Sequence, residues 1–580
     1  MISTRLKVSR FSCLLLTLCF ALNACTDQSA VESASIDETD RVDAVPDLSE
    51  GLHHTDSIKW FEGNVDEAFL FAKQENKPVF LYWGAVWCPP CQEIKQTVFK
   101  SRRFITLSES FVPVYLDGDT SQAQTVGEKF GVKGYPTMIL FNPVGAEITR
   151  IPGGIDISRY NDVLALGLNS ITPTATLVSR ILGGGDKLNP ADFQQLAYYS
   201  WGQDHNALPE DYTPDVFLKM ADASPEPIAS ARLYMQYLLE VADTRSSSEL
   251  SSNPNTITDA ENRVRRILED DQLVLACWEY FAYSTEELMP VIVDAREHPR
   301  AYKQLSELWQ TRMKSLSQSS VLSTAEQVAG LLPAIYFYFE PQSADRETKK
   351  NPAPWKISAE FKQEILSAVQ QADRVTKNSF ARQSVVSQLN YILQTAHLRE
   401  EAKTLLLAEL KRSTAAYYFM SSLASIAEED GDESAALDWR KKAWETSQGT
   451  ATRFQWGANY VRTLIRISPQ DETLIAATAL NLINEMEPGE AAFSGRNFRV
   501  LRSMTNSLNQ WSGDRSSDEN TTGKNSHKDN QPMDTASNKA NRSGRLAEYH
   551  RLIENRCQAQ EKVSTAYKNC STLIQLSPAD

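Results

Sequence analysis

The sequence predicts an α/β domain near the N-terminus, followed by a mostly α-helical, solenoid-like region. Between residues 56 and 170, helix-like spacing alternates with short runs rich in β-branched and aromatic residues. From residue 186 to 511 the spacing of apolar residues is helical almost throughout. A chain of 580 residues is also too long for one hydrophobic core. We therefore expect the two patterns to form separate domains.

The first 24 residues have the pattern of a signal peptide. A basic segment over residues 5–10 precedes an apolar run over residues 11–22, which is too short to span a bilayer of about 30 Å. Residues 22–25 resemble the cleavage box of bacterial lipoproteins. This resemblance implies cleavage before Cys25 and attachment of a lipid to Cys25. An ordinary signal peptide with a chance cysteine at that position is the alternative.

Export places the chain in the bacterial cell envelope, on the periplasmic side of the membrane. Residues 25–55 are acidic, rich in serine and aperiodic, which predicts a flexible tether behind the lipid anchor. Thr26 rather than an aspartate follows Cys25, and this resembles the sorting signal of outer-membrane lipoproteins. The formal net charge of −15 argues against a nucleic-acid partner. We therefore expect the partners to be proteins.

The α/β domain, residues 56–170, is predicted to be a small mixed sheet with helices on both faces. Its first helix carries Val65, Ala68, Phe69 and Ala72 on one face. A proline opens the second helix, where its missing N–H costs nothing. In chain order, the sequence predicts a helix over 65–76, a strand over 79–83, a helix over 90–102, a strand over 111–116, a helix over 122–130, strands over 137–141 and 147–151, and a helix over 157–166.

Two cysteines, Cys88 and Cys91, lie between a predicted strand and a predicted helix. Thiol–disulfide exchange requires a thiolate, whereas a free cysteine titrates at about pH 8.5. A cysteine at the start of a helix faces unpaired backbone N–H groups and the positive end of the helix dipole, which favour the anion. We therefore predict that Cys88 is the exposed nucleophile. Cys91, one turn inside the helix, is predicted to resolve the mixed disulfide.

Two cysteines at this spacing also occur in zinc sites and in structural disulfides. A zinc site requires further ligands, and no second cysteine or histidine pair of that spacing exists in the sequence. Binding of copper by the two thiols is a further alternative. We predict neither a metal site nor a cofactor for this chain.

A second element of the motif, Gly134-Tyr135-Pro136-Thr137, lies just before a predicted strand. Together with Trp87 and the two cysteines upstream, it resembles the thioredoxin superfamily. This resemblance implies that Pro136 is cis and lies against the active-site disulfide. It also implies that Tyr135 contacts the substrate and that Trp87 shields the site.

The segment over residues 66–79 looks specifically like the periplasmic thioredoxin-like proteins related to the C-terminal domain of DsbD. The resemblance implies a thiol–disulfide oxidoreductase that needs no cofactor. It implies clients that are proteins with thiols or disulfides, and an electron donor or acceptor in the membrane. It says nothing about the helical remainder of the chain.

One position departs from the pattern of this superfamily. Many thioredoxins carry a buried aspartate six residues before the first cysteine, where it accepts a proton from the second cysteine. Tyr82 stands at that position here, and Tyr115 replaces the lysine that often pairs with the aspartate. Water or Glu93 is then the substitute acceptor, and we expect weaker general reductase activity.

Within the helical region, residues 186–511, one stretch resembles a tetratricopeptide unit. Gly431, Ala436 and Ala443 stand where that repeat places small residues, which let two antiparallel helices approach closely. A degenerate neighbouring unit covers residues 397–410. Two interpretations stay open, a solenoid that binds peptides and an irregular helical domain that only packs.

The end of the chain is predicted to be a disordered linker over residues 512–544 and a helical segment over residues 545–580. The linker has almost no apolar residues. Cys557 and Cys570 in the helical segment form a structural disulfide or stay as unpaired thiols. A further hypothesis is that they exchange electrons with the active site. Cys277 lies in an apolar run and is predicted to be buried and inert.

These patterns together predict an exported, lipid-anchored thiol–disulfide oxidoreductase that exchanges disulfides with protein clients through Cys88 and Cys91. The alternative is a helical-repeat scaffold or assembly lipoprotein in which the redox pair is secondary. The cysteine spacing does not set the direction of electron flow, because reduction potentials in this superfamily span roughly 150 mV at the same spacing.

Overall fold

The computed structural model describes residues 57–85, 87–151, 157–170, 172–184, 188–247, 254–348, 354–513 and 536–574. The predicted signal peptide over 1–24, the predicted lipid site at Cys25 and the predicted tether over 25–55 lie outside these ranges. Residues 514–535 of the predicted linker also lie outside them.

A four-stranded mixed sheet forms the centre of the first domain. Its strands are β1 (Val79–Gly84), β2 (Val112–Asp117), β3 (Thr137–Phe141) and β4 (Glu147–Ile151), in the order β2-β1-β3-β4 across the sheet. β1 runs parallel to β2 and antiparallel to β3, and β3 runs antiparallel to β4. Every residue of β1 is buried, as a central strand requires. The strand predictions are therefore confirmed to within one residue.

Helices cover both faces of the sheet. They are α1 (Val65–Glu75), α2 (Pro89–Gln96), α3 (Arg102–Ser108), α4 (Ser121–Lys129) and α5 (Ile157–Ser170). Residues of α2, α3 and α5 pack with Phe80 and Tyr82 on one face. Residues of α1 and α4 pack with Leu81 and Trp83 on the other face. This division follows from the alternation of side chains along a strand.

The single helix predicted over residues 90–102 is wrong. α2 ends at Gln96, a 3₁₀ turn follows over Val98–Lys100, and α3 begins after Ser101. Ser101 has an extended backbone, and its side chain accepts a hydrogen bond from the amide of Phe104. A serine in this geometry starts a new helix, so the helix that a proline opens does not continue to residue 102.

The rest of the described chain is helical, and none of the helices in the described ranges combines the length and the apolar character of a membrane span. The first part consists of α6 (Thr174–Leu182), α7 (Pro190–Ala197), α8 (Asp215–Ala223), α9 (Pro227–Ser247), α10 (Pro254–Glu269), α11 (Asp271–Ala276), α12 (Trp278–Tyr283), α13 (Thr285–Ile292), α14 (Pro299–Leu316), α15 (Thr324–Ala329), α16 (Leu332–Thr348) and α17 (Ala359–Val375). The second part consists of α18 (Ser379–Thr395), α19 (Arg399–Glu409), α20 (Ala416–Glu429), α21 (Glu433–Thr446), α22 (Thr450–Ile467), α23 (Glu472–Glu485), α24 (Gly495–Ser512), α25 (Ala536–Gln558) and α26 (Thr565–Ile574), with a 3₁₀ turn over Glu490–Phe493.

The helical region has two large apolar cores. One extends from α6 to α20, and the other extends from α22 to α26. α6 packs into the first core through Leu177 and Val178, so the helical region begins before residue 186, where the sequence placed its start. The protein is thus an α/β domain followed by a mostly helical region, which is the predicted fold class.

α20 and α21 form a helical hairpin around Gly431. Gly431 has a φ of 77°, a conformation that glycine adopts without steric cost. Ala436 and Ala443 of α21 are both fully buried, as expected of small residues where two helices approach closely. The predicted neighbouring unit over residues 397–410 contains α19.

The C-terminal part differs from the prediction. The disordered linker predicted over 512–544 is wrong for Ser512, which ends α24, and for residues 536–544, which belong to α25. Arg542 and Arg545 in α25 form ion pairs with Glu472 of α23. Local composition does not reveal a partner so distant in sequence. The helical segment predicted over 545–580 is described to residue 574, and it is a hairpin of α25 and α26.

Candidate redox site

The two cysteines of the predicted site form a disulfide at the start of α2. Their Cα atoms are 5.2 Å apart, and the backbone N–H of Cys91 donates a hydrogen bond to Cys88 Sγ at 3.3 Å. β1 ends at Gly84, so the chain passes from the centre of the sheet almost directly to Cys88. The Cys91 amide and the dipole of α2 both favour negative charge on Cys88 when the disulfide is reduced.

Cys88 is buried, so the prediction of an exposed nucleophile is wrong. Cys88 is 2% exposed and Cys91 is 0% exposed. Ala85, Trp87 and Tyr135 pack with the two cysteines. α18 of the helical region packs against α2. The prediction treated the two domains as separate, whereas the helical region packs against the helix at whose start the pair lies.

Trp87 contacts both the redox pair and the helical region. Its ring packs in a cluster with Tyr417 of α20 and Trp456 of α22. Its Nε1–H donates a hydrogen bond to Asp119 Oδ2 at 2.8 Å. The residue that immediately precedes Cys88 is therefore held from two sides, by apolar packing and by a partly buried carboxylate.

Asp119 is the polar centre of this interface. Its Oδ1 accepts hydrogen bonds from the backbone N–H of Thr452 at 2.8 Å and from Arg496 Nη2 at 3.2 Å. Its Oδ2 also accepts from Thr452 Oγ1 at 3.1 Å. Sequence reasoning missed all three residues. Asp119 could have been found from its position, because it follows β2 at the sheet edge where Cys88 lies. Thr452 and Arg496 lie far downstream in the sequence, and nothing in their local sequence indicates this contact.

Tyr135 lies beside the disulfide, and the peptide bond from Tyr135 to Pro136 is cis, as the resemblance implies. The Tyr135 ring meets the Trp87 ring edge-on, with centroids 6.3 Å apart. The Tyr135 hydroxyl donates to the carbonyl oxygen of Gly118 at 3.3 Å and accepts from Gln124 Nε2 at 3.3 Å. Burial raises the pKa of Tyr135. The hydroxyl therefore stays protonated at neutral pH and fixes the ring in place.

Tyr82 does not serve as a proton acceptor for Cys91. Its hydroxyl donates a hydrogen bond to the carbonyl oxygen of Cys91 at 3.2 Å, and burial raises the pKa of Tyr82 well above its ordinary value. Its ring stacks on Tyr115 at a centroid distance of 5.6 Å. The Tyr115 hydroxyl accepts a hydrogen bond from Lys95 Nζ at 2.9 Å. The side chain of Glu93, the acceptor suggested from the sequence, lies outside what the structure describes.

Asp117 is a carboxyl group that sequence reasoning missed in this network. It ends β2 and pairs in register with Gly84, the last residue of β1. Burial raises the pKa of Asp117, while the positive charges of Lys95 and Arg496 oppose this rise. Burial also lowers the pKa of Lys95. A carboxyl whose pKa moves toward neutrality is suited to proton transfer.

The other described cysteines belong to different cores. Cys557 and Cys570 form a second disulfide with Cα atoms 5.6 Å apart, in the core of α22 to α26. Cys277 is a fully buried free thiol, and burial raises its pKa to about 12, which makes it inert. Within the ranges that the structure describes, no group of three or more His, Cys, Asp and Glu side chains is arranged to hold a metal ion.

Comparison with known proteins agrees with this geometry. A family model described as a thioredoxin-like domain matches residues 65–167. The thiol:disulfide interchange protein DsbD of Yersinia pestis is 30% identical over 95 residues, which are 16% of this chain and 16% of that protein. DsbD of Photorhabdus laumondii is 27% identical over 99 residues, which are 16% of this chain and 17% of that protein. Thioredoxin H4 of Arabidopsis thaliana is 30% identical over 84 residues, which are 14% of this chain and 65% of that protein. The match to the DsbD proteins thus spans about a sixth of their length.

Proposed function

We propose that this chain, in which residues 65–167 form a thioredoxin-like domain, is a thiol–disulfide oxidoreductase that exchanges disulfides with protein clients. The observation that carries the proposal is the Cys88–Cys91 disulfide at the start of α2, with Tyr135 packed beside it. The relatives named as thiol:disulfide interchange proteins and thioredoxins support it.

In the reducing direction, the Cys88 thiolate attacks one sulfur of a client disulfide and forms a mixed disulfide, while the other client sulfur leaves as a thiolate. Cys91, as a thiolate, then attacks the Cys88 sulfur. This second attack releases the client and closes the Cys88–Cys91 disulfide. The client gains two electrons and the cysteine pair loses two. In the oxidising direction the same steps run in reverse.

The neighbours of the pair have separate roles in this proposal. The Cys91 amide stabilises the Cys88 thiolate through the 3.3 Å hydrogen bond to its sulfur. Tyr135 and Pro136 hold the client chain beside the pair, and Trp87 shields the sulfurs from solvent. Because Tyr82 stays protonated, Asp117 is the candidate to take the proton from Cys91.

Access to Cys88 is part of the proposed mechanism. Cys88 is 2% exposed while Trp87 packs with Tyr417 and Trp456 of the helical region. A protein client therefore reaches the sulfur only after Trp87 and these two residues separate. The helical region then controls which clients react, in addition to any contact that it makes with them.

The location in the cell is also a proposal. We place the protein on the periplasmic side of a bacterial envelope, at the outer membrane if the bacterium is Gram-negative, with a lipid on Cys25 and an electron donor or acceptor in the membrane. The lipoprotein-like residues 22–25 and the DsbD relatives support this placement. Labelled palmitate supplied to cells is expected in the wild-type protein and absent from Cys25→Ser. A wild-type protein without label would contradict the anchor.

A second candidate function rests on the same burial of Cys88. A disulfide that clients cannot reach is structural, and the chain is then a helical-repeat scaffold or assembly lipoprotein in which the redox pair is secondary. The hairpin of α20 and α21, with Ala436 and Ala443 buried between closely packed helices, fits the scaffold function.

Trapping of mixed disulfides in cells distinguishes the two functions. Cys91→Ala leaves Cys88 without a resolving partner, so client proteins are expected to accumulate as mixed disulfides through Cys88. The matched control is the double variant Cys88→Ala, Cys91→Ala, which should trap nothing. If Cys91→Ala also traps nothing while the protein is folded and exported, the scaffold function is favoured.

A further inference from the structure

The first turn of α24 is docked on the thioredoxin-like domain through backbone contacts. The N–H of Gly495 donates to Glu128 Oε2 at 2.8 Å, and the N–H of Asn497 donates to Gln124 Oε1 at 3.2 Å. Gly495 has a φ of +55°, and a Cβ at this position would lie 2.8 Å from the backbone oxygen of Gln124. A glycine is therefore required here, and these contacts fix the position of Arg496 between the two amides.

Arg496 reaches from the helical region to the two aromatic rings that pack with the redox pair. Its guanidinium carbon lies 4.9 Å from the centroid of the Trp87 ring and 5.2 Å from that of the Tyr135 ring. Both rings pack with Cys88 and Cys91. A guanidinium group over an aromatic face is attracted by the ring, and the attraction is stronger when water is excluded. The Arg496 side chain is only 12% exposed.

The hydrogen bonds of Arg496 are incomplete. Its Nη2 donates to Asp119 Oδ1 and to Thr452 Oγ1, each at 3.2 Å. Its Nε and Nη1 are buried and have no hydrogen-bond partner in the structure. Unpartnered buried donors are costly and uncommon. A largely buried cation whose Nε and Nη1 have no hydrogen-bond partner is suited to interact with a negative charge that forms nearby.

Arg496 lies over both rings, and Arg499 also acts electrostatically on Tyr135. Asp119 forms an ion pair with Arg496, and Asp117 lies within electrostatic range. Arg499 on the next turn of α24 donates instead to the carbonyl oxygen of Lys133 at 3.1 Å. Glu128 is occupied by the amide of Gly495. Asp119 in turn is shared with Trp87 and Thr452, so it does not satisfy the guanidinium alone.

We propose that Arg496 is a positioning residue for the redox site, supplied by the helical region. It holds Trp87 and Tyr135 against the cysteine pair and stabilises the negative charge on Cys88 after reduction. This inference rests on the proposed function. Reduction of the pair by a dithiol client oxidises that client to a disulfide and leaves a Cys88 thiolate, a Cys91 thiol and one released proton. The thiolate formed in this step is the anion toward which the guanidinium acts.

The electrostatic role has a measurable direction. A nearby cation lowers the pKa of a cysteine thiol and makes its disulfide a stronger oxidant, because the reduced form is stabilised. Arg496→Met is expected to decrease the acid dissociation constant of Cys88 about tenfold. The equilibrium of the pair with glutathione is expected to move about tenfold toward the disulfide, which corresponds to about 30 mV.

The experiment compares four full-length proteins in a Cys277→Ser background: the unaltered site, Arg496→Met, Arg496→Lys and Arg502→Met. Arg502 is exposed on the same helix, so Arg502→Met is the matched control. The pKa of Cys88 is read from the ultraviolet absorbance of the thiolate, with Cys88→Ser as the blank. The potential is read by equilibration with glutathione. Arg496→Met is expected to show both shifts, Arg496→Lys to restore most of each, and Arg502→Met to show neither.

A further variant separates charge from structure. Asp119→Asn removes the negative charge that faces Arg496 but keeps an oxygen that accepts from Trp87. It is therefore expected to shift the Cys88 pKa downward, opposite to Arg496→Met. Equal pKa and potential in Arg496→Met and the unaltered protein, or shifts of the same sign in both variants, would overturn the proposal. The thiolate titration needs no client, so failure to exchange with clients contradicts the proposed function and leaves this test intact.

Discussion

The two disulfides in the described part of the chain are about equally buried but differ in their surroundings. Cys88 and Cys91 are 2% and 0% exposed, and Cys557 and Cys570 are 1% and 0% exposed. Exposure therefore does not separate the pair that we propose to exchange disulfides from the pair that we propose to be structural. Their neighbours do separate them.

The first pair lies in an organised polar setting. Cys88 Sγ accepts a hydrogen bond from the backbone N–H of Cys91 at 3.3 Å. The Arg496 guanidinium lies over the two aromatic rings that pack on the pair. The second pair lies among the residues of the C-terminal core, which include Leu546, Ile553 and Leu573. A setting that stabilises a thiolate favours exchange, and an apolar one disfavours it. We therefore assign chemistry to the first pair and stability to the second.

The largest expected effect concerns exchange itself. Cys88→Ser is expected to lower the rate at which the protein reduces a disulfide-bonded peptide on the order of a hundredfold or more, because a hydroxyl is not ionised at neutral pH. The double variant Cys557→Ser, Cys570→Ser is expected to retain a rate within about twofold of the unaltered protein, since exchange does not pass through this pair. Fluorescence of a labelled peptide measures both. Equal losses of the reduction rate in the two variants would show that the two disulfides do not differ in exchange.

The reverse result is expected for stability. Cys557 and Cys570 close a loop of 13 residues, and opening such a loop lowers the free energy of unfolding by about 3 kcal/mol. Cys88 and Cys91 are separated by 3 positions, and opening that loop costs less than about 2 kcal/mol. Urea unfolding of the double variants Cys557→Ser, Cys570→Ser and Cys88→Ser, Cys91→Ser measures the two losses in the free energy of unfolding. A larger loss from the first pair would contradict the assignment.

The packing of Trp87 with Tyr417 and Trp456 gives a third expected effect, on the accessibility of Cys88. Trp456→Ala removes a ring from the cluster that packs with Trp87, so alkylation of Cys88 in the reduced protein is expected to be about tenfold faster, equivalent to about 1.4 kcal/mol in the opening equilibrium. Trp511→Ala is the matched control, since both tryptophans are 7% exposed and Trp511 lies in the C-terminal core. Faster alkylation of Cys88 in the Trp511 variant would point to general loosening instead.

The smallest expected effect depends on pH and involves the carboxyl group near the first pair. Burial raises the pKa of Asp117 in the folded state above its value in the unfolded chain. Its contribution to stability is therefore present below the unfolded pKa and is lost as the pH rises through the folded pKa. Asp117→Asn is expected to be more stable than the unaltered protein at neutral pH and to lose this advantage in acid. Urea unfolding at several pH values tests this, and a constant difference would contradict it.

The local parts of this fold could be predicted from the sequence. β3 and β4 lie where alternating and β-rich runs placed them, and the site combines Cys88, Cys91 and Tyr135 because the motif residues lie at the ends of predictable strands. The break after Gln96 was missed because the helix was predicted from the proline at its start, whereas Ser101 caps a separate helix.

The contacts between the domains could not be predicted. Arg496 meets Trp87 and Asp119 only because α24 docks on α4, and one sequence carries no signal for that pairing. The burial of Cys88 and the helical residues 536–544 were missed for the same reason, since their partners lie in distant segments. The chemistry of the cysteine pair is local, whereas its electrostatic setting is not.

A redox titration of both pairs in the same protein tests whether the Cys88–Cys91 pair exchanges disulfides while the Cys557–Cys570 pair is structural. The full-length chain is equilibrated in glutathione and dithiothreitol buffers, and the state of each pair is read by alkylation after unfolding and by mass mapping. We expect a reduction potential between about −270 and −120 mV for Cys88–Cys91, and a reduction potential below about −300 mV for Cys557–Cys570. A potential below about −300 mV for Cys88–Cys91 as well would make it a structural disulfide and contradict the proposed function.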